Sequence, residues 1–69
     1  MKIMANRRLQ IGDRVKVFHE TNKDVCYGLG TIENIGYYFG LTIAYYVRLD
    51  NFPANIGDYA RRQLKKVKI

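Results

Sequence analysis

The sequence predicts a single all-β domain, a small barrel or sandwich, and three observations carry that prediction. Polar and apolar residues alternate over short stretches, most cleanly in Arg14-Val15-Lys16-Val17-Phe18. Glycines and polar turn formers separate these stretches at close intervals. No long helix is legible, since Arg61 to Lys68 offers at most a short one and isolated helices of that length are marginal. A chain of 69 residues suffices for one domain. Such a domain buries roughly 60% of its unfolded surface and sits near the lower limit of independent folding. With 48% hydrophobic residues it still holds enough apolar material for a packed core.

Each element follows from its local pattern. Residues 1–10 show no clear period and read as a flexible or edge segment ahead of a domain at 11–69. Lys2, Arg7 and Arg8 stand there without an apolar core segment, so the stretch does not read as a secretory signal. Ile11-Gly12-Asp13 is a turn signal. In the strand that follows, Val15 and Val17 face the core and Arg14 and Lys16 face solvent. His19 to Tyr27 is a polar loop. Gly28 and Gly30 mark a bulge or sharp bend before a second strand at Thr31 to Ile35. Gly36-Tyr37-Tyr38-Phe39-Gly40 reads as an aromatic loop between glycines. Thr42 to Leu49 is the strongest strand, rich in β-branched and aromatic residues. Its Tyr45, Val47 and Leu49 share one face, and Ala44, Tyr46 and Arg48 share the other. Asp50 to Pro53 ends that strand, because proline cannot donate to a ladder. A short strand near Asp58 to Ala60, one helical turn at Arg61 to Gln63 and a last strand from Leu64 to Val67 complete the reading. The expected core is Val15, Val17, Ile32, Val47, Leu49, Leu64 and Val67.

Four stretches in this order resemble the SH3-like small barrels: Gly12-Asp13-Arg14-Val15-Lys16-Val17, Gly28-Leu29-Gly30-Thr31-Ile32, Tyr45-Tyr46-Val47-Arg48-Leu49-Asp50 and Arg62-Gln63-Leu64-Lys65-Lys66-Val67. The resemblance covers about residues 11 to 67 and implies a five-stranded, strongly bent antiparallel barrel. Similar skeletons occur in KOW and Tudor-like modules of nucleic-acid proteins. They occur also in photosystem I subunit IV and in the variable chain of ferredoxin–thioredoxin reductase. The photosystem subunit has a longer Gly/Ser/Asn-rich stretch before its last strand than Asn51 to Gly57 here. The plasmid-borne dihydrofolate reductase of this fold carries a Val-Gln-Ile-Tyr string that this sequence lacks. The motifs therefore specify a fold and not a site.

Several function classes fall away on composition. A lone Cys26 excludes an internal disulfide and fits a cytoplasmic or other reducing compartment. With a lone His19 beside it, a Cys/His zinc site cannot be assembled. His19 and Cys26 flank one predicted loop, but no orienting third group follows, so a loop histidine and a small buried thiol explain them better than a nucleophilic pair. The six acidic residues are scattered, and Asp13, Asp50 and Asp58 read as turn formers. Gly28-x-Gly30 lacks the helix that a phosphate-binding loop requires. No metal or cofactor motif is present, and no apolar run approaches the ~20 residues of a membrane span. The expectation is a non-catalytic binding module.

The net charge of +6 favours an acidic partner. Arg14, Lys16, Tyr46 and Arg48 are expected on the outward face of the first and third strands. Arg61, Arg62, Lys65, Lys66 and Lys68 form a second basic cluster. Three consecutive aromatics, Tyr37, Tyr38 and Phe39, cannot all point inward. Cations neutralise phosphates while exposed rings stack on unpaired bases, so the first expectation is binding to nucleic acid or to a nucleic-acid-associated complex. The alternative is a small accessory subunit docking onto an acidic protein. A homodimer contact competes for the aromatic residues.

Overall fold

The computed structural model describes residues 8–67. They form five strands, β1 (Arg14–Phe18), β2 (Cys26–Tyr38), β3 (Leu41–Leu49), β4 (Ile56–Tyr59) and β5 (Leu64–Lys66), with a single 3-10 turn at Arg61–Gln63. All pairings are antiparallel within one sheet, in the order β4-β3-β2-β1-β5. Among the described residues the ladder does not close, so β4 and β5 are its edges.

β2 organises the sheet. Its first part, Cys26 to Thr31, pairs with β1, and its later part, Gly30 to Tyr38, pairs with β3. The strand changes partner near Gly30, where backbones approach closely. An added Cβ there would lie 2.6 Å from Val47 Cγ1 and 2.8 Å from the Arg48 carbonyl oxygen, so only glycine fits without movement. Bulges after Ile32 and Gly36 add local twist.

The core is Leu9, Val15, Val17, Ile32, Tyr45, Val47 and Leu64, with Ile35, Leu49 and Tyr59 packed against it. Alternation explains most of it: Val15 and Val17 point inward from β1, and Tyr45 and Val47 from β3. Leu49 and Val67 are half-buried instead of fully enclosed. Val67 lies just past the short edge strand β5, and Leu49 ends β3. Leu9 is a core residue that the sequence reading placed in a flexible or edge segment; residues 1–7 and Lys68 lie outside the described residues.

The segment expected as an aromatic loop is instead a hairpin end. Tyr38 pairs with Leu41, and the two residues between them, Phe39 and Gly40, have φ of 52° and 78°. Positive φ at both central positions is the requirement of the tight two-residue turn whose twist matches paired strands. The polar loop is correspondingly shorter, since Cys26 and Tyr27 already belong to β2.

Candidate basic surface and aromatic arm

The structure divides the expected binding residues into two groups and removes some cations from free use. Arg14 Nη1 donates to Thr31 Oγ1 at 2.8 Å and to Asp50 Oδ1 at 2.9 Å, and its Nη2 donates to Asp50 Oδ2 at 2.5 Å. This two-pronged pairing holds the Asp50 carboxyl below its ordinary pKa and raises that of Arg14, with hydrogen bonding the leading cause in both. Arg48 Nε donates to Glu33 Oε2 at 3.0 Å, and its Nη1 to the Pro53 carbonyl. Both arginines therefore clasp β3 and its following turn to the rest of the sheet. Arg61 Nη1 caps the Leu64 carbonyl at 3.0 Å, and Lys66 sits 3.5 Å from Asp13.

The basic surface gathers around β1 and β5. Lys16 lies directly opposite Lys65 across that pair. Both are exposed, and neither has an acidic partner among the described residues. Like charges directly opposite each other destabilise a sheet. Beside Lys65 a shallow groove of about 340 Å³ is lined by Phe18, Lys23, Arg62, Leu64 and Lys65. Arg62 forms one ion pair with Glu20 at 2.9 Å, both side chains being well exposed, so the pair is weak and open to exchange. The groove is held in shape from behind. Gln63 donates from Nε2 to the Phe18 carbonyl at 3.0 Å and accepts from the Ala60 N–H at 2.9 Å.

Lys23 and Phe18 are additions to the expected set. Lys23 falls in a polar loop whose sequence carries no binding signal. The loop is ordered by His19, whose Nδ1 accepts from the N–H groups of Thr21 and Asn22 at 3.1 and 3.2 Å. His19 thus organises the turn that presents Lys23. Cys26 is exposed, not the buried thiol expected, because it opens β2 where that strand leaves the loop.

Tyr37, Tyr38 and Phe39 stand elsewhere. Tyr38 is nine positions beyond Leu29, the residue paired with Lys16 on β2, up to about 30 Å of strand at ~3.3 Å per residue. Phe39 is 86% exposed and packs on Tyr38 with ring centroids 4.3 Å apart. Tyr37, Leu41 and Ile43 are exposed with them. Tyr46 is at the margin of exposure and covers Gly36 on the outward face, together with Ile43. No charged residue occurs in 34–47. The aromatic arm and the β1–β5 basic surface are therefore separate features, and the cation beside the arm is Arg8, which lines a groove of about 290 Å³ with Leu9, Tyr37, Gly40, Leu41, Thr42 and Tyr45.

Neither protein-family models, nor curated proteins, nor solved structures match this chain. Among the described residues no cluster of His, Cys, Asp or Glu is arranged to hold a metal ion, and no helix is long and apolar enough to cross a membrane.

Proposed function

We propose that the chain is an SH3-like barrel acting as a binding module for nucleic acid, with the β1–β5 side as its contact surface. The strand order supports the barrel reading. β2 serves two partners in succession, and the 3-10 turn after β4 returns the chain so that β5 pairs with β1. A small barrel of this type would wrap five such strands around one core.

One observation carries the binding reading: Lys65, opposed to the likewise unneutralised Lys16 across the β1–β5 pair, lines a groove with Phe18 and Leu64. Phe18 and Leu64 supply the floor, and Lys23, Arg62 and Lys65 the rim. A polyanion placed there relieves the lysine–lysine repulsion and releases its own counterions. The apolar floor with its ring suits a base beside the phosphate, which favours an unpaired strand over a regular duplex. Arg61 and Lys66 flank the surface, whereas Arg14 and Arg48 act as internal clamps.

Fluorescence anisotropy with a labelled single-stranded oligonucleotide over a range of salt tests this. Wild type should bind more weakly as salt rises. K16E/K65E should bind more weakly still and flatten the dependence, each lost phosphate contact lowering the log–log slope by ~0.7. An unchanged slope, or no binding by wild type at low salt, refutes the reading. Binding to an acidic protein with equal loss in K16E/K65E, and none to oligonucleotide, would identify an accessory subunit instead.

A further inference from the structure

Building on the polyanion reading of the β1–β5 groove, we infer that Glu20 is an internal competitor for the phosphate, and that a bound strand displaces it from Arg62. The groove has three cations along it, Lys23, Arg62 and Lys65. Of these only Arg62 has an acidic partner among the described residues. Its Nη2 donates to Glu20 Oε2 at 2.9 Å. An anion of the chain itself thus stands on the groove cation before any ligand arrives. Carboxylate and phosphate offer the same kind of acceptor oxygens to the planar guanidinium. The Glu20 carboxylate therefore marks a position that a phosphate oxygen can take.

Both partners are held by formed structure. Glu20 belongs to the loop between β1 and β2. The His19 N–H closes that loop by donating to the Val25 carbonyl at 2.9 Å, and the Val25 N–H donates to the Asn22 carbonyl at 3.1 Å. Within it His19 Nδ1 accepts from the Thr21 and Asn22 N–H groups, and Asn22 Oδ1 accepts from the Asp24 N–H at 2.9 Å. Arg62 stands in the 3-10 turn, which Gln63 ties to the Phe18 carbonyl. One loop accordingly brings Lys23 to the groove and Glu20 to the groove's arginine. The two side chains act on an incoming anion in opposite senses.

Exposure makes the contact exchangeable. The Glu20 and Arg62 side chains are 63% and 61% exposed, and pairs in water of this kind favour the closed form by no more than about fivefold. A lone carboxylate or halide gains little by the exchange, since it replaces one such contact with another. A strand also engages Lys23, Lys65 and the Phe18 ring, and those linked contacts drive the exchange. Glu20 thereby sets a threshold that isolated anions do not pass, a repulsive element built into the recognition surface.

Fluorescence anisotropy with a labelled single-stranded oligonucleotide tests this in wild type, E20Q, R62Q and E20Q/R62Q. E20Q should tighten binding about two- to fivefold at low salt. The gain should shrink as salt rises, because salt already loosens the pair in wild type. R62Q should bind more weakly than wild type, and adding E20Q to it should leave affinity nearly unchanged. That coupling separates competition for Arg62 from a carboxylate that merely repels anions at a distance. Two results overturn the inference alone: wild type binds but E20Q is unchanged or weaker, or E20Q tightens R62Q as much as it tightens wild type. Both leave the polyanion site standing. No binding by wild type at low salt removes the site and the competitor together.

Discussion

Replacing Gly30 by alanine tests the geometry on which the whole sheet turns. The new methyl would stand 2.6 Å from Val47 Cγ1, 2.8 Å from the Arg48 carbonyl oxygen and 3.2 Å from the Leu49 Cα. Val47 is fully buried, and Arg48 is held between β2 and β4 by pairing on both sides. Neither can retreat without parting strands. Overpacking of this kind costs ~1–3 kcal/mol. Alanine also restricts the unfolded chain, an offset of ~0.4–1 kcal/mol. The net loss should be about 1–2 kcal/mol, a fall in melting temperature of roughly 4–16 °C for a domain of this size. Urea unfolding followed by circular dichroism, with calorimetry for the midpoint, measures it. A double-mutant cycle sharpens the result. V47A alone should cost ~1–3 kcal/mol through lost burial and an unfilled space. In G30A/V47A the Val47 contact is gone while the carbonyl contact remains. The double variant should therefore be less destabilised than the two losses added, by more than ~0.5 kcal/mol. A G30A protein as stable as wild type would refute the close approach of β2 and β3 at this point.

Three further outcomes follow from other contacts. F39N, with asparagine at the first position of the Phe39–Gly40 turn, should raise monomer stability by about 0.5–1 kcal/mol, read by urea unfolding at low protein concentration. K65E turns the Lys16–Lys65 opposition into an opposite-charge pair; it should stabilise the isolated protein by ~0.2–1 kcal/mol while weakening oligonucleotide binding, so stability and binding move in opposite directions. The Asp50 carboxyl, lowered by its hydrogen bonds from Arg14, contributes stability above its unfolded pKa that is lost as pH falls through the folded value. The melting temperature of D50N should accordingly depend less on pH than that of wild type across the acidic range, and equal dependence would exclude the pair as a source of acid sensitivity.

How far the fold was legible in the sequence varies with how local its causes are. β1 reads off directly, because Arg14 to Phe18 alternates and is bounded by turn signals on both sides. The 3-10 turn and the short strand after it also follow from local pattern. β2 does not. Gly28, Gly30 and Gly36 look like punctuation, yet all three lie inside one strand of 13 residues. Gly30 serves a close approach, which only the partner strand reveals. The tight turn was hidden for a related reason: its usual mark is Asn-Gly, and here a phenylalanine holds the first position. Leu9 carries no periodicity and enters the core by tertiary packing alone. On the basic surface, Lys16 and Lys65 were visible as exposed cations, but their opposition depends on strand register. Lys23 joins the groove only because the loop around His19 folds back toward β5, and Arg14 meets a carboxylate 36 positions away. Residue chemistry was therefore readable, while the distinction between clamp and contact was not.

The pairing of β5 with β1 has a kinetic consequence. β1–β2, β2–β3 and β3–β4 are hairpins between successive strands, whereas Val15 meets Lys66 only after the rest of the chain has been traversed. Local hairpins close quickly, and the long loop closes last. The final seam is three residues long and carries the opposed lysines, so it is expected to part early in a native-state fluctuation. Amide hydrogens on β5 and the facing edge of β1 should exchange with solvent well before those at the centre of β2 and β3. A bound polyanion bridging Lys16 and Lys65 would slow that opening, and the same contact would then act as a latch on the folded chain.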